Sequence, residues 1–257
     1  MLKIKDVIEA LEQYAPLENQ ADYDNSGLLY GDINWDYKGA LITLDTSVDV
    51  VEEAISKGVN LIIEHHPSIF MPIKKINISI PKHKAIVKAI KNDIAIYSAH
   101  TSVDFTIGGL NDKVMELLGC SNYSTATGDC SDMRVGELIS PKRLADLVLD
   151  VKNIFQDNNV AYVGNGDTVI KKIAVINGGG GSRESEIYTA LYSGADVFIS
   201  ADFKYNVLRL AKDLGCSVIV FGHYDSEMPF LDLVKEQLTN KGIGNVYSAT
   251  TCTNPLN

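Results

Sequence analysis

The chain contains five histidines, and three of them stand where an apolar run ends. His65 and His66 close Leu61-Ile62-Ile63, and His223 closes Val218-Ile219-Val220-Phe221. In open α/β sheets ligands bind beyond the carboxyl ends of the strands, so this placement points to a site. Adjacent side chains of a regular strand face opposite sides. Pro67, however, ends the ladder directly after the pair, because it supplies no donor. Beyond the strand end both imidazoles can turn into one cavity. Taken alone, the pair also fits one core histidine and one surface histidine. The other clusters shift the balance. His223 and Glu227 lie four residues apart, one face of a helix, and His100 and Asp104 repeat that spacing after another apolar run. One such pair arises easily by chance. Three histidine-plus-carboxylate clusters at strand ends point to a metal site.

Two further features carry alternatives. Gly178 to Gly181 lie between an expected strand and helix, where the backbone N–H groups of Gly179 and Gly180 could cradle phosphate. The run lacks a P-loop lysine and dinucleotide-fingerprint spacing, so a tight strand-to-helix turn is the plainer reading. Asp45 ends a strand and could reach the same crevice as a substrate contact, or cap the helix after it.

These residues need elements to position them. Apolar runs at 40–44, 60–64, 94–98, 172–177, 197–200, 217–221 and 245–248 read as strands. Helical patterns occupy 3–13, 48–56, 81–92, 111–118, 184–192, 204–214 and 228–241, the second with Thr46 or Ser47 as its cap. Alternating strands and helices imply an α/β fold with parallel or mixed sheets. Residues 121–167 look less regular, a stretch that could bridge two halves. NLIIEHHP and CSVIVFGHYD echo each other, which fits an internal duplication and the common look of buried strands equally.

With 257 residues, 46% of them hydrophobic, the chain can bury a large core without staples. The net charge of −10 argues against general nucleic-acid binding. No run is long and apolar enough for a membrane helix, and the charged N-terminal segment does not read as a signal peptide, so the expected location is cytoplasmic. Cys120, Cys130, Cys216 and Cys252 form no CxxC pair and read as reduced, mostly buried thiols.

YDNSGLLYG (23–31), LIIEHHPSIF (61–70), AHTSVDF (99–105), INGGGGS, ADVFISADFKY and GHYDSE resemble, in order, the motifs of the Nif-three-like family, the GTP cyclohydrolase I type 2 homologues. The resemblance spans nearly the whole chain. It implies two similar, intertwined α/β halves, roughly 1–125 and 126–257, with mixed sheets, no inserted domain and a metal site at strand ends between them. It also implies His65, His66, Asp104, His223 and Glu227 as ligands of two divalent ions, His100 as a catalytic neighbour, and a homohexamer. Two positions depart from the pattern. Asn206 stands where a histidine is usual, and Glu64 where a small residue is usual; by alternation Glu64 should point away from His65, as an acceptor behind the ligands.

Three neutral imidazoles and two carboxylates would leave two divalent ions with net positive charge, suited to a small anionic substrate such as a nucleotide. Mixed nitrogen and oxygen ligands suit zinc, manganese, iron or nickel. Paired metals acidify a shared water and clamp the attacking and leaving oxygens, which is hydrolytic chemistry. The resemblance narrows this to a GTP cyclohydrolase-like opening of a purine imidazole ring, with a phosphoesterase as the neighbouring enzyme class. A metal-binding regulatory or protein-interaction protein without turnover is the alternative.

Overall fold

The computed structural model describes residues 1–126 and 132–256. These form two units, residues 1–106 with 230–257, and residues 107–229. The division thus falls at 106 and 229 instead of near 125, and the C-terminal segment belongs with the first unit.

The first unit opens with α1 (Ile4–Glu12), whose Ile4, Val7, Ile8 and Leu11 are buried at helical spacing. Strands β1 (Gly27–Tyr30), β2 (Ala40–Thr43), β3 (Leu61–Glu64) and β4 (Ala95–Ser98) follow. Helices α2 (Val48–Lys57) and α3 (Pro81–Lys91) are the crossovers that make β2, β3 and β4 parallel, and short α4 (Thr101–Phe105) follows β4. Every residue of β2, β3 and β4 is buried, the pattern of central strands covered on both faces. Ser47 caps α2 by accepting from Val50 N at 3.2 Å. Lys57 is followed by Gly58 at φ 66°, a left-handed stop.

The second unit runs through α5 (Leu110–Leu117), β5 (Cys120–Thr125), β6 (Arg134–Arg143), α6 (Leu144–Phe155), β7 (Ala161–Val163) and β8 (Val169–Val175). It continues with α7 (Glu184–Tyr192), β9 (Val197–Ser200), α8 (Tyr205–Leu214), β10 (Ser217–Val220) and α9 (His223–Glu227). Its sheet has the order β5-β6-β8-β9-β10-β7, with β8, β9 and β10 parallel. The chain then completes the first unit with α10 (Pro229–Asn240) and β11 (Val246–Ser248), which pairs in parallel with β2. The first sheet is ordered β1-β4-β3-β2-β11, with β1 antiparallel, so both sheets are mixed and the fold is α/β.

The stretch 121–167 corrects the expectation of irregularity. Apart from the undescribed 127–131, it holds β5, β6, α6 and β7, all inside the second unit. Its signal is obscured by Pro141, which lies where the pairing of β6 with β8 shifts register between Glu137 and Lys142. Helix α6 buries Leu144, Leu147, Val148, Val151 and Phe155, a helical period present in the sequence. Cys120 and Cys216 are buried, and burial pushes their thiols up to about 12 and about 11. Cys252 is exposed, and Cys130 lies outside the described residues. No helix of the described residues is long and apolar enough to cross a membrane.

Candidate metal centre

In the first unit Thr43, Glu64 and Ser98 are lateral neighbours in the parallel β2-β3-β4 ladder. The residues just past them, Asp45, His65, His66 and His100, therefore leave the sheet at one carboxyl edge. Backbone pairing continues for one step, with His65 N donating to Thr43 O at 3.1 Å and His66 N to Leu44 O at 2.9 Å. The His65 and His66 rings lie 5.0 Å apart, and His100 lies 5.1 and 5.7 Å from them. One ring nitrogen from each of the three falls within 4.8 Å of the others. His65 is fully buried against Phe230, at 4.7 Å between ring centroids. Asp104, on α4, brings a carboxylate oxygen to 3.9 Å from His65 Nε2.

Each of these imidazoles meets an oxygen through Nδ1. His65 meets Ala99 O at 3.1 Å, His66 meets Asp45 Oδ1 at 3.1 Å, and His100 meets Asp24 Oδ1 at 2.8 Å. An oxygen acceptor places the proton on Nδ1 and leaves the Nε2 lone pair for a ligand or a proton. Asp24 is the functional residue that the spacing argument missed. Its side chain is fully buried, and it also accepts from Thr101 N at 3.0 Å and from the Thr101 and Ser26 hydroxyls. Burial opposes ionisation there, but the bonds from His100 and Thr101 prevail and hold the carboxyl well below the usual range. Its only trace in the sequence is its place in YDNSGLLYG.

The second unit repeats the device. Parallel β8, β9 and β10 release Gly178, Asp202 and His223 beyond their carboxyl ends. Helix α9 starts at His223 and brings its Nε2 to 3.1 Å from Glu227 Oε1, while its Nδ1 meets Asp202 Oδ2 at 2.6 Å. Burial lowers the His223 pKa, but Glu227 and Asp202 outweigh it and raise the ring to about 9. Asp202 holds a left-handed φ of 54°, a conformation aspartate tolerates better than most residues. It too was missed, being one polar residue in ADVFISADFKY.

The glycine run is a tight turn. Gly178 has φ 59°, and a Cβ there would sit 2.2 Å from Glu227 Oε1, so only glycine lets the backbone pass this carboxylate. Gly178 N donates to Ser226 Oγ and Gly181 N to Ala201 O. Gly180 is buried, and a Cβ there would meet Ile176 and Ser200. Gly179 is exposed, near Asp202 and His223.

Three other expectations are resolved. Asp45 is not the helix cap, a role Ser47 fills; it holds His66 instead. Among the described residues Glu64 bonds no histidine: it accepts from Ser68 N at 2.5 Å, bracing the turn after Pro67, and burial pushes its carboxyl up to about 7. Asn206 donates to Glu184 on an exposed surface.

The class is therefore an α/β protein with histidine–carboxylate clusters at the carboxyl ends of its parallel strands. Residues 2–255 match the family model Duf34/NIF3 (NGG1p interacting factor 3), and the chain belongs to that family. A protein of Clostridium perfringens named GTP cyclohydrolase 1 type 2 homolog is 33% identical, over 93% of this chain and 92% of its own length. Its namesake from Clostridium acetobutylicum is 35% identical, over 92% and 90%. The crystal structure of a Bacillus cereus protein related to NIF3 superposes with a TM-score of 0.89, covering 100% of this chain and 99% of that one. At 23% identity it shows a shared fold.

Proposed function

We propose that the chain is a hydrolase that binds two divalent ions through His65, His66, Asp104, His223 and Glu227, and acts on a small anionic substrate, a nucleotide or a phosphorylated molecule. One observation carries this reading. Every strand-end histidine in both units has Nδ1 tied to an oxygen, the arrangement that orients an imidazole to ligate through Nε2; His100 shares it, and its assignment as proton carrier instead of ligand rests on the family resemblance. The donor set of imidazoles and carboxylates suits zinc, manganese, iron or nickel. Such ions, when bound, supply an acidified water and compensation for developing negative charge. The chain's own contribution is orientation and proton handling. Asp45, Asp24 and Asp202 fix the rings, and His100, held by Asp24, carries a proton at Nε2 to the leaving group. The name of the clostridial relatives points to GTP ring opening as the first reaction to assay. The protein is expected to act in the cytoplasm as a homohexamer, and light scattering giving a 28.0 kDa monomer at micromolar concentration would refute that assembly.

Elemental analysis tests the ligand set. Wild type should carry two ions per chain, His65→Ala with Glu227→Gln should lose most of them, and His100→Gln should keep them. Turnover in His100→Gln should fall about 10²- to 10⁴-fold, the usual worth of a proton donor. Equal metal in wild type and the double variant would remove the site. The family description, an interacting factor, favours a second reading as a metal-binding regulatory protein. Full metal without turnover of any nucleotide or phosphoester would select that reading.

A further inference from the structure

A cavity of about 270 Å³ opens beside His66 in the first unit. Pockets that take a whole drug-sized ligand span roughly 300–1,000 Å³, so this one suits a single group of a larger molecule. Ser47 and Val48, where α2 begins, and Pro81 and Lys82, where α3 begins, share its wall. A helix start is the positive end of the helix dipole, so two on one wall favour an anion, with the Val50 amide of α2 already given to Ser47 Oγ and Pro81 of α3 bringing no N–H. The Lys82 ammonium lies at the same wall, 3.2 Å from Pro67 O, and forms no ion pair among the described residues.

Two independent observations point the same way. Thr46 and Ser68 line the cavity, are more than nine-tenths buried, and have hydroxyls near the Glu64 carboxyl that fall short of hydrogen-bond geometry with it. Buried hydroxyls left in that condition are donors that a ligand oxygen would satisfy. The charge pattern is the second. From His65 to Asn92 this acidic chain carries six lysines and no aspartate or glutamate; Lys88 among them pairs with Glu52 of α2, and Lys82 is the lysine on the cavity wall. Asp45 is the one carboxylate on the wall, and its oxygens are engaged by His66 Nδ1 and by the Thr253 hydroxyl at 3.3 Å.

We propose that this cavity is a phosphate subsite, in which Lys82 and the opening turns of α2 and α3 hold the phosphoryl group of the substrate beside His66. The assignment rests on reading His66 as part of the reactive centre, and it places the anionic end of the substrate on the α2–α3 side of that residue. Lys82 and the positive ends of the two helix dipoles supply the charge, and the Thr46 and Ser68 hydroxyls supply direction.

The test uses inorganic phosphate on the full chain stripped of metal by a chelator and titrated in a calorimeter. One phosphate should bind per chain. Lys82→Glu should weaken it about tenfold or more, the worth of one charge-assisted hydrogen bond. Lys82→Arg should retain it, and Lys84→Glu, on the same helix but off the cavity wall, should leave it unchanged. Circular dichroism of Lys82→Glu should match wild type, since Lys82 is exposed. Equal binding by Lys82→Glu and wild type, equal loss in Lys84→Glu, no saturable binding, or acetate competing as well as phosphate would each overturn the subsite. Failure of the metal reading would show instead in the elemental analysis, and this metal-free titration would stand apart from it.

Discussion

The carboxyl edges of the two sheets solve one problem under different conditions. The first presents three histidines and the second one, each edge with an aspartate on an imidazole Nδ1. In the first unit Asp24 holds His100 with its own side chain fully buried, whereas in the second Asp202 holds His223 with its side chain 56% exposed. Asp24 also receives a backbone amide and two hydroxyls, so it is part of the framework as well as a clamp. Around Asp202 the framework is the backbone, a left-handed residue facing the turn that Gly178 opens for Glu227. Burial decides whether such a dyad carries stability or chiefly orientation, because losing a buried acceptor strands several donors while losing an exposed one admits water.

The sharpest way to break that contrast is Asp24→Ala. It strands the His100 and Thr101 donors and should cost about 3–5 kcal/mol in denaturant unfolding at neutral pH. The pH dependence has a definite sign. A carboxyl held below its ordinary value contributes stability that is present above the unfolded pKa, about 3.9, and is lost as pH falls below it. The stability gap between wild type and Asp24→Asn should therefore narrow between pH 5 and pH 2–3; a constant gap would mean that Asp24 is not ionised in the fold.

A smaller effect on folding, with a larger one on ligation, is expected from Asp202→Asn. Asparagine accepts the same φ, so unfolding should shift by less than about 1 kcal/mol, as for an exposed pair. Metal affinity, read by competition with a chelating dye, should drop about 10- to 100-fold, as for other carboxylates behind a histidine ligand. If Asp24→Ala and Asp202→Asn changed folding and ligation alike, burial would not be what separates the two edges.

Much of this is legible in the amino-acid sequence alone. The runs at β2, β3, β4, β9 and β10 are apolar because central parallel strands are covered on both faces, and α2, α7 and α8 show their turns through caps and period. The same locality placed His65, His66, His100 and His223 at strand ends, and the four-residue step joined His223 to Glu227. These are short-range facts, and short-range chemistry writes them into the sequence.

Tertiary structure decided the rest. The acceptors for His100, His65 and His223 lie 76, 34 and 21 residues away, and no spacing rule connects them. The turn of His65 and His66 toward His100 depends on where the strand stops pairing, which alternation within the strand does not reveal. The assignment of 230–257 to the first unit rests on β11 joining β2, a parallel pairing between distant segments. Each of these is a long-range contact chosen by the packing of the whole unit, where many polar residues could serve as partner and only the fold selects one.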